Sequence, residues 1–250
     1  MKKRRWFSLF LSFALLLPLF SLTSADAYED FDLDAKAGLL IEADTGEILY
    51  EKNAHQENFP ASLTKVMVAL LVFEAIDEGK IALTDSVTAT ESAFEGLSSD
   101  GSTANIVPGE TMTVEQLLNC MLIVSANEAC NILGETLYGS VDAFVARMNE
   151  RATELGCEHT HFANATGLHN SQHYTTAWDL YLITREAMKH DKFMEICNSK
   201  SYTVPATNMT DKPRELHSTN FLISNWRARG YVYRDAQGIK TGSTEEAGHC

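Results

Sequence analysis

One stretch limits what this chain can become. Between Pro60 and about Glu78 the apolar residues Val66, Leu70, Phe73 and Ile76, with Ala69 and Leu71 beside them, recur at helical spacing. That spacing predicts a helix from Ser62 onward with an apolar face to bury. More helices follow. Thr113 and Gln116 spell a capping box ahead of LLNCMLIV, and Thr176 and Asp179 spell another ahead of LYLITREAMKH. Ser140 is placed to cap VDAFVARMNERATEL, which Gly156 stops. The middle of the chain is therefore helical.

The ends have a different texture. Residues 37–42 and 47–50 are short apolar runs around the turn Ala43-Asp44-Thr45-Gly46, which predicts a hairpin. Beyond Ser199, strand formers return at Tyr202, Val204 and Tyr231-Val232-Tyr233, and Gly238-Ile239-Lys240 reads as the start of a strand. The economical arrangement is a mixed α/β (α+β) fold. One antiparallel sheet is built from both chain ends, with a mainly helical lobe beside it.

The N-terminus reads as a secretory signal. Met1-Lys2-Lys3-Arg4-Arg5 precedes an apolar run from Trp6 to Phe20, and the small-x-small triplet Ala25-Asp26-Ala27 follows. The run is about 15 residues, broken by Ser8, Ser12 and Pro18, and too short to span a bilayer. Cleavage after Ala27 is expected, leaving residues 28–250 as one exported domain. The formal net charge of −14 argues against a nucleic-acid partner. The five cysteines contain no C-x-x-C and read as buried thiols, with a single disulfide left open.

Three short motifs can carry chemistry: Ser62-Leu63-Thr64-Lys65, Ser125-Ala126-Asn127 and Lys240-Thr241-Gly242. Ser62 and Lys65 share one face of a helix start. A serine hydroxyl needs an adjacent base to become a nucleophile. A lysine amine serves only if it is neutral, and burial or a second cation such as Lys240 drives it that way. Ser125 and Asn127 offer a hydroxyl and an amide to relay a proton and hold a peptide group. Lys240 and Thr241 offer a cation and a hydroxyl to a terminal carboxylate. Each motif also has a bland reading: a helix cap with a solvated lysine, a Ser125–Glu128 capping box, and a strand end. Order and context favour the joint reading. His169 and His173, four apart, with His159 and His161 nearby, suggest a metal site only weakly, because a zinc site needs three or four ligands. No metal or cofactor is expected.

At these motifs the chain resembles the D-alanyl-D-alanine carboxypeptidases, serine D,D-peptidases among the low-molecular-mass penicillin-binding proteins with a β-lactamase/transpeptidase-like fold. FPASLTKVMVALLVFEAI, LLNCMLIVSANEACNIL, FANATGLHNSQHYTTAWDL and GIKTGSTEEAGHC all look like family blocks, and the resemblance runs from about Ala37 to Cys250. It implies Ser62 as nucleophile, Lys65 as base, Ser125 and Asn127 as the second catalytic element, and Lys240 and Thr241 as carboxylate binders beside Gly242. It implies an oxyanion hole from the backbone N–H groups of Ser62 and Ser243. The partners it implies are peptidoglycan stem peptides ending in D-Ala-D-Ala, with β-lactams as acylating inhibitors. Ser243 stands where some members have His, and Ser218-Thr219-Asn220 where some have Asn-Arg-Asn. Family domains continue through two more strands and a helix, so the resemblance implies a C-terminally incomplete domain. The missing part would include any segment that associates with a membrane surface. A class A β-lactamase would place a Glu-x-x-x-Asn between the second and third motifs, and none occurs here. An endopeptidase or transpeptidase, and a non-catalytic peptidoglycan-binding relic, are the other readings.

Overall fold

Helix α1 (Lys65–Asp77) differs from its sequence pattern in one respect. The spacing predicts one apolar face, yet the helix is buried on every side: no residue from Lys65 to Phe73 is more than 3% exposed. A helix apolar all round is stable only inside a shell of other elements. Helices α2 (Val114–Ile123), α3 (Asn127–Tyr138), α4 (Val141–Glu154) and α5 (Ala177–Ala187) supply that shell, and α6 (Asp191–Cys197) packs on α2. The computed structural model describes residues 33–250, of which Lys36–Cys250 form one compact unit. The signal segment expected at residues 1–27 lies outside the described residues.

The predicted caps position these helices. Thr113 Oγ1 accepts from the Gln116 N–H at 3.2 Å, and Gln116 Oε1 accepts from the Thr113 N–H at 2.9 Å, a complete capping box on α2. Ser140 Oγ accepts from the Ala143 N–H at 3.1 Å, and α4 ends ahead of Gly156, whose φ is +83°. Thr176 caps α5, but Asp179 does not reach back to it. Asp179 Oδ2 instead accepts from the His159 N–H at 2.9 Å and Thr160 Oγ1 at 2.7 Å, pinning the preceding loop to α5.

The strands form antiparallel pairs: β1 (Gly38–Ile41) with β2 (Ile48–Lys52), β3 (Ser86–Thr88) with β4 (Thr111–Thr113), β5 (Ser201–Val204) with β6 (Arg214–His217), and β7 (Ser243–Thr244) with β8 (Gly248–His249). The mixed α/β class and the N-terminal hairpin are as the sequence predicts. The single sheet from both ends is corrected, because no ladder joins β1 or β2 to the C-terminal pair among the described residues. Lys240 and Thr241 lie outside any strand, and Gly242 exchanges N–H···O bonds with Cys250 at 3.1 and 2.9 Å. Tyr231 and Tyr233 are exposed and irregular. Strand-forming side chains make a strand only beside a partner ladder.

Candidate active site

Ser62 sits in a 3-10 turn, Ala61–Thr64, that feeds directly into α1. The nucleophile candidate therefore lies one tight turn ahead of the α-helix, where N–H groups lack intrahelical acceptors. Lys65 Nζ lies 3.0 Å from Ser62 Oγ, 2.8 Å from Asn127 Oδ1 and 2.6 Å from the Thr166 carbonyl. Asn127 Oδ1 and the Thr166 carbonyl can only accept. A neutral amine thus gives both its N–H bonds to them and turns its lone pair toward the Ser62 hydroxyl. Burial pushes the Lys65 amine below its ordinary range, against the pull of Cys130 and Glu128. Lys240, expected to help lower it, is itself pushed down to about 7, by burial first and by its repulsion with Lys65 second.

The motifs did not reveal what braces this turn. Asn164 Oδ1 accepts from the Thr166 N–H, Thr166 Oγ1 and the Gly167 N–H at 3.1, 3.0 and 2.8 Å, an Asx turn that aims the Thr166 carbonyl at Lys65. Gly167 has φ +83°, and a Cβ there would lie 1.9 Å from the Ala61 carbonyl oxygen. Thr64 Oγ1 donates to that same carbonyl at 2.8 Å and so accepts from His173 Nε2 at 2.7 Å. His173 Nδ1 in turn accepts from the Ala163 N–H at 3.2 Å. These bonds need a neutral imidazole, and burial, followed by His161, Lys65 and His169, pushes its pKa down to about 4. The other histidines have separate partners: Glu57 for His159, the Gln172 carbonyl for His161 and Glu246 for His169. The signal for this brace was present in FANATGLHNSQHY, where an asparagine precedes Thr-Gly.

Asn127 opens α3 with its side chain on Lys65, and its N–H donates to the Ser102 carbonyl at 2.9 Å. Ser125 is not a cap, which corrects the capping-box alternative. Ala126 occupies the N-cap position, and Glu128 Oε1 accepts from Thr103 Oγ1 at 2.7 Å and the Ala104 N–H at 2.8 Å. Ser125 is 4% exposed, its hydroxyl has no hydrogen-bond partner among the described residues, and its φ is +66°. A buried hydroxyl left unpaired in a strained residue is costly, and such strain gathers at functional sites.

In the third motif Lys240 Nζ donates to the Thr241 carbonyl at 2.7 Å, and Thr241 Oγ1 pairs with Thr219 Oγ1 at 2.7 Å. Gly242 crosses the Ser62 turn so closely that a Cβ would stand 3.1 Å from the Pro60 carbonyl oxygen and 3.3 Å from the Ser62 nitrogen. Because Gly242 and Cys250 exchange both backbone bonds, the Ser243 N–H points away from β8. Ser62, Ser125, Lys240, Thr241, Gly242 and Ser243 line one cleft of about 740 Å³. Lys65 and Asn127 are buried behind it. All eight predicted residues therefore converge. The thiols of Cys120, Cys130, Cys157 and Cys197 are pushed up to about 11–12 by burial and offer no competing nucleophile. Cys250, expected to be buried, is exposed.

A serine beside a desolvated lysine, with an amide, a hydroxyl and a cation gathered at one cleft on a mixed α/β scaffold, is an arrangement suited to acyl transfer. The family model for D-alanyl-D-alanine carboxypeptidases, peptidase family S11, matches residues 23–250, and the chain belongs to that family. It is 39% identical over 217 residues to the D-alanyl-D-alanine carboxypeptidase DacF of Bacillus subtilis (strain 168), covering 87% of this chain and 53% of that one. Against DacC of Escherichia coli (strain K12) it is 32% identical over 222 residues, covering 87% and 52%. The crystal structure of the Streptomyces K15 DD-transpeptidase superimposes with a TM-score of 0.78 at 30% identity, covering 89% of this chain and 85% of that one. The chain spans about half the length of the first two relatives.

Proposed function

We propose that this protein is a serine D-Ala-D-Ala carboxypeptidase that removes the terminal D-alanine from peptidoglycan stem peptides and is acylated by β-lactams. The observation that carries the reading is the three-way seating of Lys65 Nζ on Ser62, Asn127 and Thr166. Neutral Lys65 takes the Ser62 proton as Oγ attacks the carbonyl between the two D-alanines. The N–H groups of Ser62 and Ser243 receive the developing oxyanion. Ser125, whose hydroxyl has no partner among the described residues, passes the proton to the departing amine. Lys240 and Thr241 hold the terminal carboxylate. Water then attacks the ester on Ser62, with Lys65 again as base, and frees the shortened peptide.

Export fits this reading. Residues 1–27 act as a cleaved signal and residues 28–250 as the catalytic domain, and no helix among the described residues is long and apolar enough to cross a membrane. The test is labelling with a fluorescent penicillin, peptide mapping, and assay of D-alanine release. Label confined to Ser62 and lost in Ser62→Ala is expected. Label elsewhere, or no D-alanine from a D-Ala-D-Ala peptide, overturns the reading. Release only in the presence of an amine acceptor would assign the chain to transpeptidation, the activity named for its Streptomyces structural neighbour.

A further inference from the structure

The charge of the cleft is opposite to that of the chain. The protein has 34 Asp and Glu residues and a net charge of −14, yet none of the residues lining the cleft is acidic. Arg227, Lys240 and His249 line it instead. A wall without carboxylates in so acidic a protein concentrates anionic ligands.

The terminal carboxylate of a D-Ala-D-Ala peptide accounts for one cation. Lys240 meets that need, since it stands with Thr241 and Gly242 against the Ser62 turn. Arg227 belongs to a different part of the wall, the irregular segment between β6 and β7. It is exposed, within electrostatic reach of Lys240, and has no ion-pair partner among the described residues. A guanidinium presents its N–H donors in a planar fork. The same segment contributes Phe221 and Tyr231 to the cleft, with ring centroids 6.3 Å apart and exposures of 42% and 63%. Aromatic rings that open to solvent at the mouth of a site form a platform for an aliphatic ligand. The cleft is also too large for two alanines: about 740 Å³ is the size that takes a drug-sized molecule.

We infer that Arg227, Phe221 and Tyr231 form a subsite for the residue upstream of the D-Ala-D-Ala pair, selecting an aliphatic side chain that ends in a carboxylate. The rings cover the methylene chain and Arg227 pairs with its terminal carboxylate, two parallel N–H···O bonds being the geometry a guanidinium offers. The inference rests on the D,D-carboxypeptidase reading and names which stem peptides that site prefers.

The test uses the full chain and three N-acylated X-D-Ala-D-Ala peptides. Residue X carries a side chain of four or five carbons ending in a carboxylate, in its primary amide, or in an amine. The wild type is expected to show kcat/KM about fivefold higher for the acid than for the amide, and lowest for the amine, with the difference mainly in KM. Arg227→Glu inverts the order of acid and amine. Arg227→Lys retains the order with a smaller ratio, because an ammonium keeps the charge without the fork. Wild-type rates equal on all three peptides overturn the inference and leave the hydrolase reading standing. So does a loss in Arg227→Glu that is equal on all three, which would move Arg227 to the terminal carboxylate. Failure of the wild type to cleave any of the three removes the hydrolase reading and this inference together.

Discussion

The two lysines of the site are held in opposite ways. Lys65 is wholly buried in the first turn of a central helix, and acceptors from two distant segments, Asn127 Oδ1 and the Thr166 carbonyl, hold its amine against Ser62. Lys240 lies on an irregular segment and donates to the carbonyl of its own neighbour. The difference follows from their proposed tasks. A proton acceptor must be desolvated and fixed against its donor, whereas a charge that receives a carboxylate must remain open to an incoming ligand.

The comparison can be broken, beginning with the largest expected effect. Lys65→Arg keeps a long basic side chain but stays protonated, so the rate of fluorescent-penicillin labelling at pH 7 should fall about a thousandfold. Labelling at a near wild-type rate would remove Lys65 as the base. Gly167→Ala forces a Cβ to within 1.9 Å of the Ala61 oxygen at a left-handed φ. It should cost roughly 3 kcal/mol, a fall in Tm of about 10 °C, and slow labelling with it. An unchanged Tm would show that the Ser62 turn is not braced as described.

His173 sharpens the same contrast through pH. Its folded pKa of about 4 lies below the ordinary histidine value of about 6.5, so the unfolded chain binds its proton first as pH falls. Its contribution to stability is complete above pH 6.5 and is lost downward to about pH 4, about 3 kcal/mol in all. The stability of His173→Gln should therefore depend less on pH across that window, as urea midpoints at pH 5 and pH 7 will show. Parallel pH dependence in variant and wild type would contradict this. On the other side of the cleft, Lys240 at about 7 should give kcat/KM an alkaline limb that begins near neutrality, and Lys240→Arg should push that limb upward. A limb that does not move belongs to another group. Away from both lysines, Ser140→Ala removes the cap of α4 and should cost about 1 kcal/mol without changing labelling.

Seven of the eight candidate residues and the helical middle were legible because they rest on local signals, namely short motifs, capping side chains and apolar spacing, whereas Ser243 came from the family resemblance. Ser62, Asn127 and Lys240 could be named from sequence without knowing how they meet. The Thr166 carbonyl could not, since a backbone acceptor leaves no side-chain signature. His173 looked like part of a histidine cluster, because only the fold shows that Thr64 claims one of its nitrogens. The strand predicted at Lys240 failed for the converse reason. Its residues favour extended backbone, but a strand also needs a partner, and that is a long-range property.

One junction has a mechanical consequence. Asn127 and Glu128 are consecutive residues at the start of α3, and one grips the Lys65 amine while the other grips Thr103 and Ala104 of the loop that carries Ser102 into the cleft. Asn127 is also bonded through its N–H to the Ser102 carbonyl. Loop and base are thus attached to the same helical turn with no hinge between them. A substitution that shifts this turn therefore displaces the rim of the cleft and the seat of the amine together.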